Sequence, residues 1–264
     1  MRNFIPFLKS DPLVAVIRLQ GAISNSGSGL DDPSLAPVIE KAFRRGKPVA
    51  LALQINCPGG SPVQSSLIAA RIRRLADERE IPVIAFVEDV AASGGYWLAC
   101  AADEIFVDRS SIVGSIGVIS AGFGFPEALS RYGVERRVYT AGTSKSMLDP
   151  FREEKPEDVA RLKGWLDDIH ATFIAHVKDR RGARLADTPE LFSGEVYIGE
   201  KGVAQGLADG IGHLVPEMKR RFGDKVRFRR YGPRKSLLQR FGARLAGDAL
   251  ALVEERAAFG RYGV

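Results

Sequence analysis

Two cysteines in 264 residues, Cys57 and Cys100, leave nothing from which to build a disulfide framework. They lie far apart, with no CxxC and no histidine nearby in sequence, so a zinc site is not indicated either, and both read as small core residues in a reducing compartment. Long apolar runs are missing as well. The longest, Pro48 to Leu53 and Val83 to Val87, have strand length, far short of the ~18 residues that a membrane-spanning helix needs. The first dozen residues, MRNFIPFLKSDP, are interrupted by Pro6 and Lys9 too soon to form a signal-peptide core, so the expectation is no Sec export and a cytoplasmic location. With 28 glycines and 14 prolines, the chain stays well below the roughly 25 to 30% that marks low complexity. Common catalytic signatures are absent too. There is no GxxxxGKS/T, complete GxGxxG, HExxH, GxSxG or SxxK, so neither a metal nor a nucleotide cofactor is expected.

What is present is an ordinary globular composition, 45% apolar and 27% charged, with a net charge of +6 that is unevenly spread. From Lys219 to Arg244 eleven cations face Asp224 alone, which leaves the rest of the chain slightly acidic. This tail has no recognisable nucleic-acid motif and no aromatic stacking pattern, and nucleic-acid binding is not expected. The charge up to Lys235 reads as a solvated basic face. Beyond Ser236 the stripe Leu238, Phe241, Leu245, Ala249 and Leu252 predicts an amphipathic helix suited to packing on a neighbouring subunit.

Leu13 to Leu19, Val49 to Ile55, Ile81 to Val87 and Ile105 to Val107 read as strands, each followed by glycine-containing turns and helical stretches. That alternation predicts an α/β fold with a largely parallel, buried sheet. One helix should start at a Ser61 cap with Pro62 in its first turn and end near Arg79, and a second should run from about Pro156 to Arg181. Gly194 to Gly212 suggests a turn, a short helix and a closing strand.

Two Gly-rich strand-to-helix junctions remain as candidate chemistry, Asn56-Cys57-Pro58-Gly59-Gly60 and Ala91-Ala92-Ser93-Gly94-Gly95-Tyr96. Open parallel sheets gather ligands at such junctions, and two of them could aim two backbone N–H groups at one developing oxyanion. Taken singly, each Gly pair reads first as a tight turn or a close-packing point. Ser93, directly before Gly94-Gly95, adds a hydroxyl at the start of a helix. It needs a base, and His170, His176 and His213 lie in no turn-rich motif; a lysine in apolar surroundings could serve instead.

The strings NCPGGSP (56 to 62), DVAASGGYWLACAADEIFVDRSSIVGSIGVI (89 to 119), YTAGTSKSMLDPFRE (139 to 153) and GEVYIGEKGVAQGLADGIG (194 to 212) together resemble the bacterial signal peptide peptidase A family of serine peptidases, SohB-like members included. The resemblance runs from about Leu13 to Leu214 and rests on the order and spacing of four blocks. It implies a Clp-protease/crotonase-like fold of repeated ββα units. It also implies a Ser-Lys dyad: Ser93 as nucleophile, Lys145 as general base, Gly60 and Gly94 as oxyanion N–H donors, and Ser115 as a hydrogen-bond partner of the lysine. The implied division is an N-terminal arm (1–12), a peptidase domain (13–218) and a basic tail with the amphipathic helix (219–264). Implied partners are unstructured or apolar peptides such as cleaved signal peptides, and further copies of the chain in a homo-oligomer whose active sites are shared between subunits. The basic tail suggests peripheral contact with an anionic membrane at its inner face. Two rival functions share these residues: a crotonase-type acyl-CoA enzyme that uses the paired N–H groups for a thioester enolate, and a non-catalytic membrane-associated scaffold.

Overall fold

A computed structural model describes residues 11–25, 29–142, 144–232 and 259–263 of the chain. The helix expected after Ser236 lies outside the described residues up to 258. Two compact units are resolved, one of residues 1–116 with 174–264 and one of residues 117–173.

The first unit is built on an eight-stranded sheet. Leu13–Gln20 (β1), Ala50–Cys57 (β2), Val83–Ala92 (β3), Glu104–Val107 (β4) and Ile112–Gly114 (β5) are followed by Val196–Ile198 (β6), Gly210–Ile211 (β7) and Arg227–Tyr231 (β8). The order is β6-β5-β3-β2-β1-β8, with β4 pairing β3 and β7, and every pairing is parallel except β5 with β6. β1, β2 and β3 are almost entirely buried, as continuous Val, Ile, Leu and Ala runs require when both faces of a sheet are covered. The expected strands are all present, and β3 runs five residues beyond Val87, through Glu88 and Asp89, to deliver its end to Ser93.

Asp32–Arg44 (α1) and Pro62–Arg79 (α2) pack together, and both begin on a capping side chain. Asp31 accepts from the Ser34 N–H and Ser61 from the Gln64 N–H, the latter at the predicted cap. Arg71 of α2 forms a two-pronged ion pair with Asp32, 2.7 and 2.8 Å, that ties the two helices. The short helix Gly94–Ala99 (α3) is completely buried behind β3. Cys57 and Cys100 are buried, and burial pushes the Cys100 thiol up to about 12.

The boundary expected at residue 218 falls inside the helix Leu214–Phe222 (α7), which follows the short helix Glu200–Ala204 (α6), and the segment read as solvated charge is partly built into the fold. Arg221 grips Glu104 of β4 at 2.6 and 2.7 Å, while β8 pairs with β1 from Leu13↔Arg227 to Ile17↔Tyr231. Phe228 packs against the Val14 and Val16 side of the sheet, Tyr231 lies on the opposite face with its hydroxyl donating to the Arg45 carbonyl at 3.1 Å, and Arg227, Arg229 and Arg230 stay exposed.

The last turns of Pro156–Arg181 (α5) are clamped onto this unit by Arg181. Its side chain is 1% exposed, donates to Asp209 at 2.7 and 3.1 Å and to the Gly206 carbonyl at 2.9 Å. Burial alone would raise the Asp209 carboxyl, but Arg181, the Ile105 N–H and Arg184 outweigh it and hold it below the usual carboxylate range. Removing Asp209 leaves a buried guanidinium without its counter-ion, so Asp209→Ala should cost about 3 to 5 kcal/mol in urea unfolding at pH 7. A depressed carboxyl stabilises above its unfolded value of about 3.9 and loses that contribution as pH falls through the folded value. The gap between wild type and variant should therefore close in acid.

The second unit holds Pro126–Arg131 (α4), the first two-thirds of α5 and long irregular stretches. Of its described residues only Asp158 and Phe173 are buried, while Phe123, Tyr132 and Tyr139 are more than four-fifths exposed.

Candidate active site

β2 ends on Pro58-Gly59-Gly60 and β3 on Ser93, so both glycine junctions emerge at the carboxyl end of adjacent parallel strands. A parallel bridge between Ile23 and Gly60 pins the first junction, with the Ile23 N–H on the Gly59 carbonyl at 2.8 Å and the Ser61 N–H on the Ile23 carbonyl at 2.9 Å. This leaves the Gly60 N–H facing away from that exchange. Gly60 has φ +139°, and a Cβ there would lie 2.0 Å from the Ile23 carbonyl oxygen, so the position excludes any side chain.

Ser93 has φ +53° and ψ −124°, a backbone that a side chain-bearing residue rarely adopts and that costs on the order of 1 to 3 kcal/mol. The surroundings enforce it. The Ser93 N–H donates to the Gly114 carbonyl at 2.8 Å, closing β3 onto β5, while the Ser93 carbonyl accepts the N–H groups of Tyr96 and Trp97 and starts α3. Ser93 is half-buried, and its Oγ has no hydrogen-bond partner among the described residues. The strain lifts the hydroxyl off the strand and away from the capping position.

Gly94 follows, at the first position of α3, where an N–H has no partner within its own helix. A Cβ on Gly94 would sit 3.3 Å from the Gly60 nitrogen and 2.4 Å from Ser65 Oγ, which measures how closely the two junctions meet. Among the described residues neither the Gly60 nor the Gly94 N–H has an acceptor. The structure thus brings together three expected site residues, Ser93, Gly60 and Gly94, as one hydroxyl beside two unclaimed backbone donors. Sequence reading missed Ser65, which is fully buried on α2 under Gly94 and donates to the Ser61 carbonyl at 2.8 Å. A serine on the buried face of a helix was the signal available for it.

From its far side α3 is held by α5. His176 stacks on Trp97 with ring centroids 4.7 Å apart, and Arg180 donates to the Cys100 carbonyl at 2.8 Å. Burial lowers the His176 imidazole, so it stays neutral while it packs, and both residues brace the helix that follows Ser93. Tyr96 donates to the Leu207 carbonyl at 2.8 Å, a further strut. Ser115, the expected lysine partner, also has positive φ, +52°, with its N–H on the Glu195 carbonyl.

Lys145 belongs to the second unit. It is exposed, has no ion pair among the described residues, and sits in consecutive turns from Ser144 to Leu148. Those turns are anchored by Asp149-Pro150-Phe151: Phe151 stacks on Phe125 at 5.7 Å under the Arg136 guanidinium, and the Pro150 carbonyl accepts the Phe125 N–H at 2.6 Å. No cluster of three or more His, Cys, Asp or Glu able to hold a metal occurs among the described residues.

Residues 76–221 match the profile of Peptidase family S49. Over its whole length the chain is 46% identical to part of a Brucella melitensis protein named Na(+)/H(+) antiporter NhaA, of which the match covers 39%. It is 30% identical to the chloroplastic serine protease SPPA of Arabidopsis thaliana over 76% of this chain and 31% of that one. Protease 4 of Haemophilus influenzae is 30% identical over 75% of this chain and 32% of its own length. The chain therefore spans roughly a third of each of these relatives. Among solved structures, a serine-to-alanine mutant of a membrane-bound stomatin-specific protease matches with TM-score 0.51 at 16% identity, covering 84% of this chain and 99% of that one. A lysine-to-alanine mutant of the same protease, in complex with a substrate peptide, matches with TM-score 0.53 at 14% identity over 88% and 97%. At that identity the likeness concerns the fold, which is the expected Clp-protease-like α/β arrangement.

Proposed function

The chain belongs to peptidase family S49, and on that footing we propose that it is a serine endopeptidase that hydrolyses unstructured or apolar peptides through Ser93 and Lys145. One observation carries the reading: a strained serine whose hydroxyl stands beside two backbone N–H groups, none of the three with a hydrogen-bond partner among the described residues. Ser93 Oγ attacks the peptide carbonyl and its proton passes to the Lys145 amine. The oxyanion of the tetrahedral intermediate is held by the N–H groups of Gly60 and Gly94, the leaving amine takes the proton back, and water hydrolyses the acyl-enzyme. Each oxyanion donor is worth ~10²- to 10³-fold in rate, which accounts for two glycine junctions converging on one hydroxyl. Ser115 orients the lysine.

The proposal extends to assembly and place. Lys145 lies in a unit that exposes Phe123, Tyr132, Tyr139 and Trp165 and buries almost nothing of its own, which supports a homo-oligomer with active sites shared between subunits. Cleaved signal peptides are the proposed substrates, met at the cytoplasmic face of a membrane to which the basic residues after Lys219 are drawn. No described helix is long and apolar enough to cross a bilayer.

A fluorophosphonate probe tests the chemistry, because it forms a stable adduct with an activated serine hydroxyl. Mass spectrometry should place one adduct on the peptide that contains Ser93. An acyl-CoA enzyme or a scaffold would leave Ser93 unmodified, and that result would sink the proposal.

A further inference from the structure

Beyond Glu88 and Asp89, β3 carries a second apolar patch. Val90 and Ala92 share one face of the strand, and Ile112 lies opposite Val90 on β5. The patch ends on Ser93. It is separate from the cluster of Val16, Ala52, Phe86 and Phe106 that α7 covers with Met218. Over it lie Phe259 and Tyr262, and Tyr262 Oη donates toward Ser115 Oγ at 3.4 Å. Val90 and Ala92 are fully buried beneath these two rings, which are themselves half-buried.

The covering segment is a single turn. The Tyr262 N–H donates to the Phe259 carbonyl at 2.9 Å and the Gly263 N–H to the Gly260 carbonyl at 3.1 Å, so residues three apart present both rings to the same side. A peptide tied up this way offers no extended backbone, and its position beside a serine does not make it a substrate. Its reach from the rest of the chain is ample. β8 and β5 stand four strand spacings apart, about 19 Å, and the 26 residues between Gly232 and Phe259 can span several times that distance.

We infer that the shelf of Val90, Ala92 and Ile112 beside Ser93 is a seat for aromatic side chains of a peptide, and that residues 259–263 occupy it as a competitor built into the chain. The seat stands on packing alone; its effect on turnover rests on the peptidase reading. While Tyr262 engages Ser115, that hydroxyl is withdrawn from Lys145 and incoming substrate finds the shelf filled. An occupant that fills the seat nine-tenths of the time raises the apparent KM about tenfold and leaves kcat untouched.

The test uses the full chain with Phe259→Asp and Tyr262→Asp. For a fluorogenic apolar peptide, KM should fall about tenfold with kcat unchanged, and excess free peptide Phe-Gly-Arg-Tyr-Gly should inhibit this variant competitively. Independently of turnover, the same peptide carrying a fluorophore should bind the double variant about tenfold more tightly than wild type, measured by anisotropy with Ser93→Ala in both proteins. Tighter binding without any hydrolysis upholds the seat and removes the peptidase reading. Hydrolysis with an unchanged KM and equal peptide binding overturns the inference and leaves the peptidase reading in place.

Discussion

Ser93→Ala is expected to lower peptide hydrolysis by roughly 10⁴-fold or more while leaving the folded protein as stable as wild type. The first half follows from the loss of the one atom that forms the covalent bond; what remains is the contribution of the oxyanion donors and of binding. The second half follows from the site. Ser93 Oγ has no hydrogen-bond partner among the described residues, and alanine keeps the Cβ and the same strained φ, so the unfolding free energy should change by no more than about 0.5 kcal/mol. Ser93→Gly sharpens the point. Glycine takes φ +53° without penalty and should stabilise the fold by on the order of 1 kcal/mol while being equally inactive. Stability bought back by removing the hydroxyl's own backbone strain would show what that strain is for. Undiminished hydrolysis by Ser93→Ala would dispose of the nucleophile assignment outright.

The second large effect is at Lys145. Lys145→Ala should cost at least ~10²- to 10⁴-fold, the usual worth of a positioned general base, and Lys145→Arg should not restore it, because a guanidinium keeps its proton. Lys145 is exposed and has no ion pair among the described residues, so neither variant should alter unfolding, and the loss is chemical. Full activity in Lys145→Arg would end the base assignment. Mixing Ser93→Ala protomers with Lys145→Ala protomers then reports on assembly: partial recovery means that serine and lysine come from different copies, and none means that they come from one.

Much of the sheet was legible because burial on both faces leaves continuous apolar runs, as in Leu13–Gln20 and Ala50–Cys57. α2 was legible because a cap, a first-turn proline and helical spacing agreed, and α5 because apolar residues recur at helical spacing. α1 was not read from the sequence; it holds Pro37 in its interior, while Pro33 fits its opening turn after the Asp31 cap. β8 was hidden by arginines at three of its five positions, which leave Phe228 and Tyr231 too few to make a strand pattern. At the site, the two glycine junctions and Ser93 stood out from their residue types together with the family blocks. The positive φ of Ser93, the approach of Gly94 to Gly60 and the Tyr262–Ser115 contact did not. These are distances between segments far apart in sequence, 147 residues in the last case, and no local pattern encodes them.

The pairing of β1 with β8 sets a schedule for synthesis. The outer edge of Leu13–Gln20 is not sealed until Arg227–Tyr231 has been translated more than 200 residues later. At about 5 to 20 residues per second, that edge stays open for roughly 10 to 40 s on every nascent chain. During that interval the growing polypeptide presents unsatisfied strand backbone, an edge on which another chain can pair.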